Sequence, residues 1–354
     1  MKKICSILLL SAILILSGCR ENSASEMTNT FDVSYEKLDC GLLLTEDYTP
    51  RCIYNNEEEM LLSKGKMRDV YSEPATSTTD FVIADVKTGA IRKLIPVGLT
   101  AQVASAVPYE DGILYVDYSR DDENTLNWEI IRHAKEVREI LLKGQCEFYD
   151  KLPSLEVLDG VPIVLWEDAT DGKARLSKIS KNGFEDIISE EENITIVTSD
   201  LSTNTREICF AAETEGETAE MVVAGIDGII GRLTLEHKLT SFALTKDRLL
   251  CGVGDAQEKG IFSLINYDFK QDKKDISHIS GPLYRMKGSS NNTILCVDSS
   301  FRIKRINADD SSISNIDAPP KTTGMPISFS TKMDEMCVAE ILTTNQTEYY
   351  LMCM

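Results

Sequence analysis

Leu155-Glu-Val-Leu158 is followed by Asp159-Gly160, then Val161-Pro-Ile-Val-Leu-Trp-Glu167 and a polar loop at 168–173. Next come Ala174-Arg-Leu-Ser-Lys-Ile-Ser180, the triplet Lys181-Asn182-Gly183 and Phe184-Glu-Asp-Ile-Ile188. Each apolar run has strand length. Asp-Gly and Asn-Gly between such runs are hairpin dipeptides, because two-residue turns need positive φ. The stretch therefore reads as four antiparallel strands in sequence order: short turn, polar loop, short turn.

The same plan recurs along the chain. At 102–142 the strands are expected at 102–107, 113–118, 128–133 and 137–142, with Glu110-Asp111-Gly112 as the first turn. The third strands align as Phe81-Val-Ile-Ala, Trp128-Glu-Ile-Ile, Arg175-Leu-Ser-Lys-Ile, Glu220-Met-Val-Val-Ala, Ile261-Phe-Ser-Leu-Ile, Phe301-Arg-Ile-Lys-Arg-Ile and Glu348-Tyr-Tyr-Leu-Met. They recur at intervals of about 40 to 47 residues. A four-stranded unit cannot bury both of its faces alone, so seven units are expected to close radially. The expected fold is all-β: a seven-bladed β-propeller of four-stranded antiparallel blades, with little helix, since no long 3.6-residue stripe appears.

The last copy stops after its third strand. The spare segment 31–38, which precedes the first copy, could supply the missing strand, protect the open edge and close the ring. The first copy is expected to start near 39–44, to place its second strand around Cys52-Ile53-Tyr54, and to carry a long excursion at 55–80. Within that excursion Glu57-Glu-Glu-Met-Leu-Leu-Ser-Lys reads as one or two helical turns. Loops this long are uncommon unless functional or disordered, so a partner-contacting flap is one reading and plain disorder the other.

Lys2-Lys3 precedes an apolar run at 4–16 that ends in Leu16-Ser17-Gly18-Cys19. The run is short for a membrane span and has the form of a signal-peptide core. Leu-Ser-Gly-Cys resembles the lipobox of bacterial lipoproteins. The resemblance implies cleavage before Cys19, lipidation of its sulfur, and a body held to the extracytoplasmic face of a cell membrane. The expected organisation is a signal peptide at 1–18, a polar lipidated tether at 19–30 and a single propeller domain at 31–354. Separately, Asp85-Val-Lys-Thr88-Gly89 resembles the strand–turn motif of quinoprotein-like and TolB-like bacterial propellers. The Gly-His and Trp-Asp signatures of WD40 repeats are absent, so the likeness is to an architecture.

The formal charge of −20 would become about −22 without Lys2 and Lys3. Such acidity excludes nucleic acid as a natural partner and disfavours lying flat on anionic lipid. Apolar content of 42% with 27% charged residues suits a packed domain, expected to be monomeric. Asp117, Glu167, Glu213, Asp255, Asp298 and Glu340 recur just beyond the second strands, where the first copy has Asn55, Asn56 and Glu57. In a propeller these positions share a rim with the blade-to-blade links. They form a candidate binding site for a cation or a basic protein, set against the plainer reading of solvated acids ending strands.

Cys52, Cys209, Cys251, Cys296 and Cys337 are all assigned to second strands. Blades pack about 10 Å apart, too far for disulfides between equivalent positions. These thiols are read as small buried hydrophobes. Cys40, Cys146 and Cys353 are less constrained, and whether Cys40 and Cys353 meet at the closure is left open. With no Cys-x-x-Cys and no nearby histidine, no metal site is assigned.

No cofactor loop, nucleophile elbow or zinc-protease motif appears, so no catalytic residue and no cofactor is assigned. Asp168-Ala-Thr-Asp171-Gly172 resembles part of a calcium loop but lacks the later acidic ligand. His133, His237 and His278 lie in different copies. The leading function is a non-catalytic binding or scaffold module. The alternatives are a glycan- or peptide-acting enzyme, which would need a close carboxylate pair in the central channel, and an envelope-assembly component.

Overall fold

The structure is a computed structural model. It describes residues 22–23, 26–31, 33–38, 49–55, 58–66, 77–85, 87–188, 192–204, 206–213, 219–254, 260–288, 292–317, 319, 325–330, 336–342 and 347–353. Among these the one helical element described in full is a 3-10 turn, Tyr149–Lys151. Everything else that is regular is strand, in six hydrogen-bonded sheets.

The sheets divide into seven four-stranded antiparallel groups. Blade 3 is the simplest: Ser154–Leu158, Val161–Asp168, Lys173–Ser180 and Gly183–Ile188 pair in sequence order. Blade 4 is Ser202–Thr203, Glu207–Glu213, Ala219–Gly225 and Gly228–Thr234. Blade 5 is Lys238–Leu244, Leu249–Gly254, Phe262–Asp268 and Lys273–Ile279. Blade 6 is Leu283–Gly288, Thr293–Asp298, Ile303–Asn307 and Ile313–Ile316. Blades 1 and 2 form one seven-stranded sheet, because Ile91–Tyr109 belongs to both. Its first half pairs with Ser77–Asp85, and its second half with Gly112–Arg120. Blade 2 continues through Leu126–Ala134 to Val137–Cys146.

Blade 7 shows how the ring closes. Met325–Ser330, Met336–Leu342 and Thr347–Cys353 come from the C-terminus. The fourth strand is β3 (Ser34–Lys37), antiparallel to Thr347–Cys353 with Ser34 opposite Cys353 and Lys37 opposite Tyr350. The innermost strand of blade 7 in turn contacts Thr49–Asn55, the innermost strand of blade 1. The segment expected to complete the ring does so.

The core lies between blades. In Glu207–Glu213, Ile208, Phe210 and Ala212 pack into the seam with blade 3, while Cys209 and Ala211 pack into the seam with blade 5. Successive strand residues point to opposite faces, and both faces are covered. Second strands are therefore apolar through their middles, as in Ile294, Leu295, Cys296 and Val297, all buried. Fully burying one side chain of the size of Phe210 contributes about 1.5–3 kcal/mol. Neighbouring inner strands are also stitched by hydroxyls: Leu155 N–H donates to Ser105 Oγ at 3.0 Å, Leu244 N–H to Ser202 Oγ at 2.8 Å, and Met286 N–H to Ser241 Oγ at 2.9 Å. The expected turn at Asp159-Gly160 is present, with φ of 53° and 77°, a pair that suits glycine at the second position.

Three expectations are corrected. In blade 1 the first strand is Thr49–Asn55 and the second is Glu59–Lys66. Cys52 therefore lies on a first strand, and Asn55, Asn56 and Glu57 do not match the rim acids of other blades. The supposed helical turns at 57–64 are strand from Glu59 onward. Met60, Leu61, Leu62 and Ser63 are buried on both faces of a blade, and such a run has no period of two to distinguish it from a helix. The long excursion shrinks accordingly: of residues 55–80 only 56–57 and 67–76 lie outside the described residues.

The tether is corrected too. β1 (Asn22–Ser23) pairs in parallel with Lys273–Ile279, the outer strand of blade 5. β2 (Glu26–Phe31) pairs in parallel with Ile313–Ile316, the outer strand of blade 6. Polarity of sequence argues for exposure, but a strand on a blade's outer edge needs only backbone groups to pair.

Candidate functional site

Strand order fixes which segments meet. The loops joining second and third strands emerge on one face of the ring with the links between blades; the remaining turns emerge on the other. We call these the loop face and the turn face.

On the loop face, residues 147–153 link blade 2 to blade 3. The link is pinned. Ser199, in the next link, donates its N–H to Asp150 O at 2.6 Å and its hydroxyl to the same oxygen at 3.0 Å, and also bonds Leu152 O. Lys151, with 15% of its side chain exposed, reaches Glu167 Oε2 at 3.1 Å in blade 3, Glu213 Oε1 at 3.2 Å in blade 4, and the carbonyl of Ile196. One ammonium thus ties two blades and a link together. Removing it would leave a half-buried carboxylate unpaired.

The rigid link displays aromatic surface. Tyr149 packs edge-on against Tyr118, with centroids 5.7 Å apart. The guanidinium of Arg120 sits 4.8 Å above the Tyr149 ring, within cation–π range. Beside them Phe148 is 61% exposed. Asp121, Asp122 and Glu123 follow Arg120 in the chain, and Glu147 and Asp150 flank the two aromatics; all five are exposed. Asp121 shapes its loop by accepting from Glu123 N–H at 3.0 Å and Thr125 N–H at 2.9 Å. Burial pushes its carboxyl up, but the Thr125 N–H, Asn127 and the Glu123 N–H together hold it below the usual range.

The rim acids named from sequence meet different fates. Glu167 and Glu213 converge on Lys151. Asp117 sits within its strand opposite Glu129, accepts Gln102 N–H at 3.0 Å and lies 3.5 Å from Arg138. Burial raises its carboxyl above the usual range, more than Gln102 and Arg138 lower it. Asp298 ends its strand and folds the following turn. It accepts Ser300 N–H at 2.8 Å and Arg302 N–H at 3.0 Å, and holds the Arg302 Nε at 2.8 Å. Burial pushes its carboxyl up, and the hydrogen bonds from Arg302 and Ser300 outweigh that and lower it. Glu340 pairs by its backbone with Tyr349 and Ser328. Asp255 and Cys19 lie outside the described residues. Glu167 and Glu213 thus meet at Lys151, while Asp117 and Asp298 are engaged within their own blades. Among the described residues no group of three His, Cys, Asp or Glu side chains is placed to hold a metal.

In the central channel, Glu156 is the one carboxylate on the described innermost strands. It accepts the Thr203 hydroxyl at 2.7 Å across the seam between blades 3 and 4. His133 and His278 occupy separate blades, His133 buried in blade 2 and His278 exposed on the outer strand of blade 5. Sequence reading passed over the Arg120–Phe148–Tyr149 platform. Its one signal is a pair of adjacent aromatics, Phe148-Tyr149, inside a polar link where no strand needs them.

No protein-family model matches this chain, and no curated protein matches it in sequence. Solved structures do match in fold. One, described as YCF48 bound to D1 peptide, is 9% identical; the match covers 93% of this chain and 97% of that one, with a TM-score of 0.54. The crystal structure of BamB from Moraxella catarrhalis is 12% identical, with 91% and 98% of the two chains covered and a TM-score of 0.46. The first is a β-propeller, and the likeness agrees with the strand order described above: this chain has the propeller fold.

Proposed function

We propose that the protein is a lipid-anchored, extracytoplasmic scaffold that binds a protein partner on its loop face, without catalysis. The observation that carries this reading is the platform of Phe148, Tyr149 and Arg120. Arg and Tyr are enriched among residues that dominate protein interfaces, and Phe148 adds a large apolar anchor. Here they sit on a link already fixed by Lys151 and Ser199, so binding costs little ordering. The surrounding carboxylates favour a basic segment of the partner and speed its encounter. The acids Glu167, Glu213, Asp117 and Asp298, already paired internally, shape the field and the loops. That the YCF48 structure is one of a peptide complex supports the reading for a shared fold. The lipid anchor is supported by the run from Lys2 to Cys19.

The test is capture from native membranes with the full lipidated chain, wild type against Phe148→Ala and Arg120→Ala, each checked for an intact fold by circular dichroism. The expected result is a defined partner whose recovery falls at least about tenfold with Phe148→Ala, as for a residue worth more than 1.4 kcal/mol, and falls with added salt. Unchanged recovery in both variants would overturn it. So would turnover of a glycan or peptide by the purified protein.

A further inference from the structure

Three turns border one cleft on the turn face, at the seam between blades 3 and 4. Asp159 lies in the first hairpin turn of blade 3, Arg206 in the first turn of blade 4, and Ile226-Asp227 join the third and fourth strands of blade 4. The cleft has a volume of about 360 Å³ and is lined by these residues with Ile229 and Ile230. That volume falls in the range of about 300–1,000 Å³ usual for small-molecule sites. Its apolar lining is three isoleucines. Ile226 and Ile229 pack against the core of the seam. Ile230, 48% exposed, covers Gly225, where an added Cβ would stand 3.1 Å from its Cδ1.

The turn that carries Arg206 is held from within. Asn204 Oδ1 accepts the N–H of Arg206 and that of Glu207, each at 2.7 Å, and its amide donates to the carbonyl of Thr245 in blade 5 at 2.8 Å. The charged side chains at the cleft are not held. Arg206, Asp159 and Asp227 are exposed, and among the described residues none of the three has a hydrogen-bond or ion-pair partner at its side chain. Aspartates of other turns are engaged: Asp85, Asp121, Asp168 and Asp298 each accept a backbone N–H of their own turn. Here a guanidinium and two carboxylates line one cleft yet lie beyond ion-pair distance of each other. The gap between opposite charges is open to a ligand.

We propose that this cleft binds a small aliphatic zwitterion, a free amino acid of the leucine type or a short peptide of such residues. Arg206 offers the forked N–H donors that match a carboxylate. Asp159 and Asp227 take the ammonium, and the isoleucines take the aliphatic chain. A purely anionic ligand would meet two carboxylates, and a purely cationic one would meet the guanidinium. A molecule carrying both signs satisfies all three groups. The cleft opens on the turn face, away from the aromatic platform of the loop face, so its occupancy does not depend on a protein partner there.

Calorimetric titration of the full chain with L-leucine and with leucyl-leucine tests this. The comparison ligands are isocaproate, which lacks the ammonium, and isopentylamine, which lacks the carboxylate. The expected result is saturable one-to-one binding of at least one zwitterion with a Kd of about 0.1–1 mM, in keeping with its few non-hydrogen atoms, and binding of both one-charge analogues weaker by at least about tenfold. Arg206→Gln and Asp227→Asn, each checked for an intact fold by circular dichroism, should weaken the zwitterion to a similar degree, as for the loss of one charged hydrogen bond. Tighter binding of leucine assigns the cleft to free amino acids, and tighter binding of leucyl-leucine assigns it to peptides; either supports the site. Failure of both to bind up to about 10 mM overturns it. Binding that survives both substitutions unchanged puts the ligand elsewhere and overturns it too. Equal binding of isocaproate or isopentylamine overturns the need for both charges.

Discussion

Gly144 lies directly beneath the indole of Trp128: a Cβ placed on it would stand 2.1 Å from Cζ2 of that ring. The two residues are cross-strand partners on Val137–Cys146 and Leu126–Ala134, and Trp128 is 3% exposed. Glycine on an outer strand is usually a weakness, but here the aromatic partner covers the bare backbone. Gly144→Ala should destabilise the protein by about 1–3 kcal/mol through overpacking. The urea midpoint measures this, and an unchanged midpoint would show that the ring has room to move.

Ring closure depends on β3, and Tyr35 is its main side-chain contact. Its ring meets Tyr350 edge-on, centroids 6.4 Å apart and planes at 89°, and its hydroxyl donates to the carbonyl of Asp317. Such a pair is worth about 0.5–1.5 kcal/mol beyond the area buried. A double-mutant cycle over Tyr35→Ala and Tyr350→Ala should return a coupling in that range. Deleting residues 20–38 should do more, because it bares the edge of Thr347–Cys353. Size-exclusion chromatography should then show aggregates, as expected of an unpaired edge. A monomeric, cooperatively folding deletion would mean that the other six blades suffice.

Blades 2 and 3 were legible in sequence almost residue by residue, because Asp159-Gly160 and Glu110-Asp111-Gly112 punctuate runs of strand length. Blade 1 was misread because Met60-Leu61-Leu62 is buried on both sides and carries no alternation. β1 and β2 escaped notice for the opposite reason. An edge strand held by backbone pairing demands no apolar pattern, so Asn22-Ser23 looks like linker. The rim acids recur in sequence, but Glu167 and Glu213 are distant in sequence from the Lys151 that joins them, and no local pattern announces that meeting.

Two rim carboxylates should titrate with opposite signs. Asp298 has a folded-state pKa below its unfolded value, so its contribution is complete above about pH 3.9 and is lost as pH falls further. Asp117 has a raised folded-state pKa, so the protein gains stability from it as pH falls through that value towards 3.9. Asp298→Asn should therefore flatten the acid limb below pH 4, and Asp117→Asn should flatten the gain on going from neutral pH to pH 4. Urea midpoints taken at pH 7, 5 and 3.5 distinguish the two. Parallel profiles for both variants would mean that neither environment acts as described.

Cys209, Cys251 and Cys296 sit on the second strands of blades 4, 5 and 6, wholly buried and free. Burial pushes all three thiols far up. Cys146, at the end of an outer strand, is raised by burial and the nearby Glu167 to about 11. Only the thiolate attacks an alkylating reagent, and at pH 7.5 a thiol of pKa 11 is ionised to roughly one part in a few thousand. Folded protein should therefore leave the three buried thiols unmodified by iodoacetamide and label Cys146 slowly, whereas urea should open all four. Their replacement should reveal what they do in the seams. Cys251→Ala removes one atom from an apolar contact, at a cost of about 1 kcal/mol. Cys251→Ser is closer in size but puts a hydroxyl among Leu244, Val253 and Ile265, members of the same cluster, which adds about 1–3 kcal/mol where no partner is found. Alanine should thus be the milder change. A serine variant as stable as alanine would show that the site offers hydrogen bonds, and that these sulfurs are more than small apolar filling between the blades.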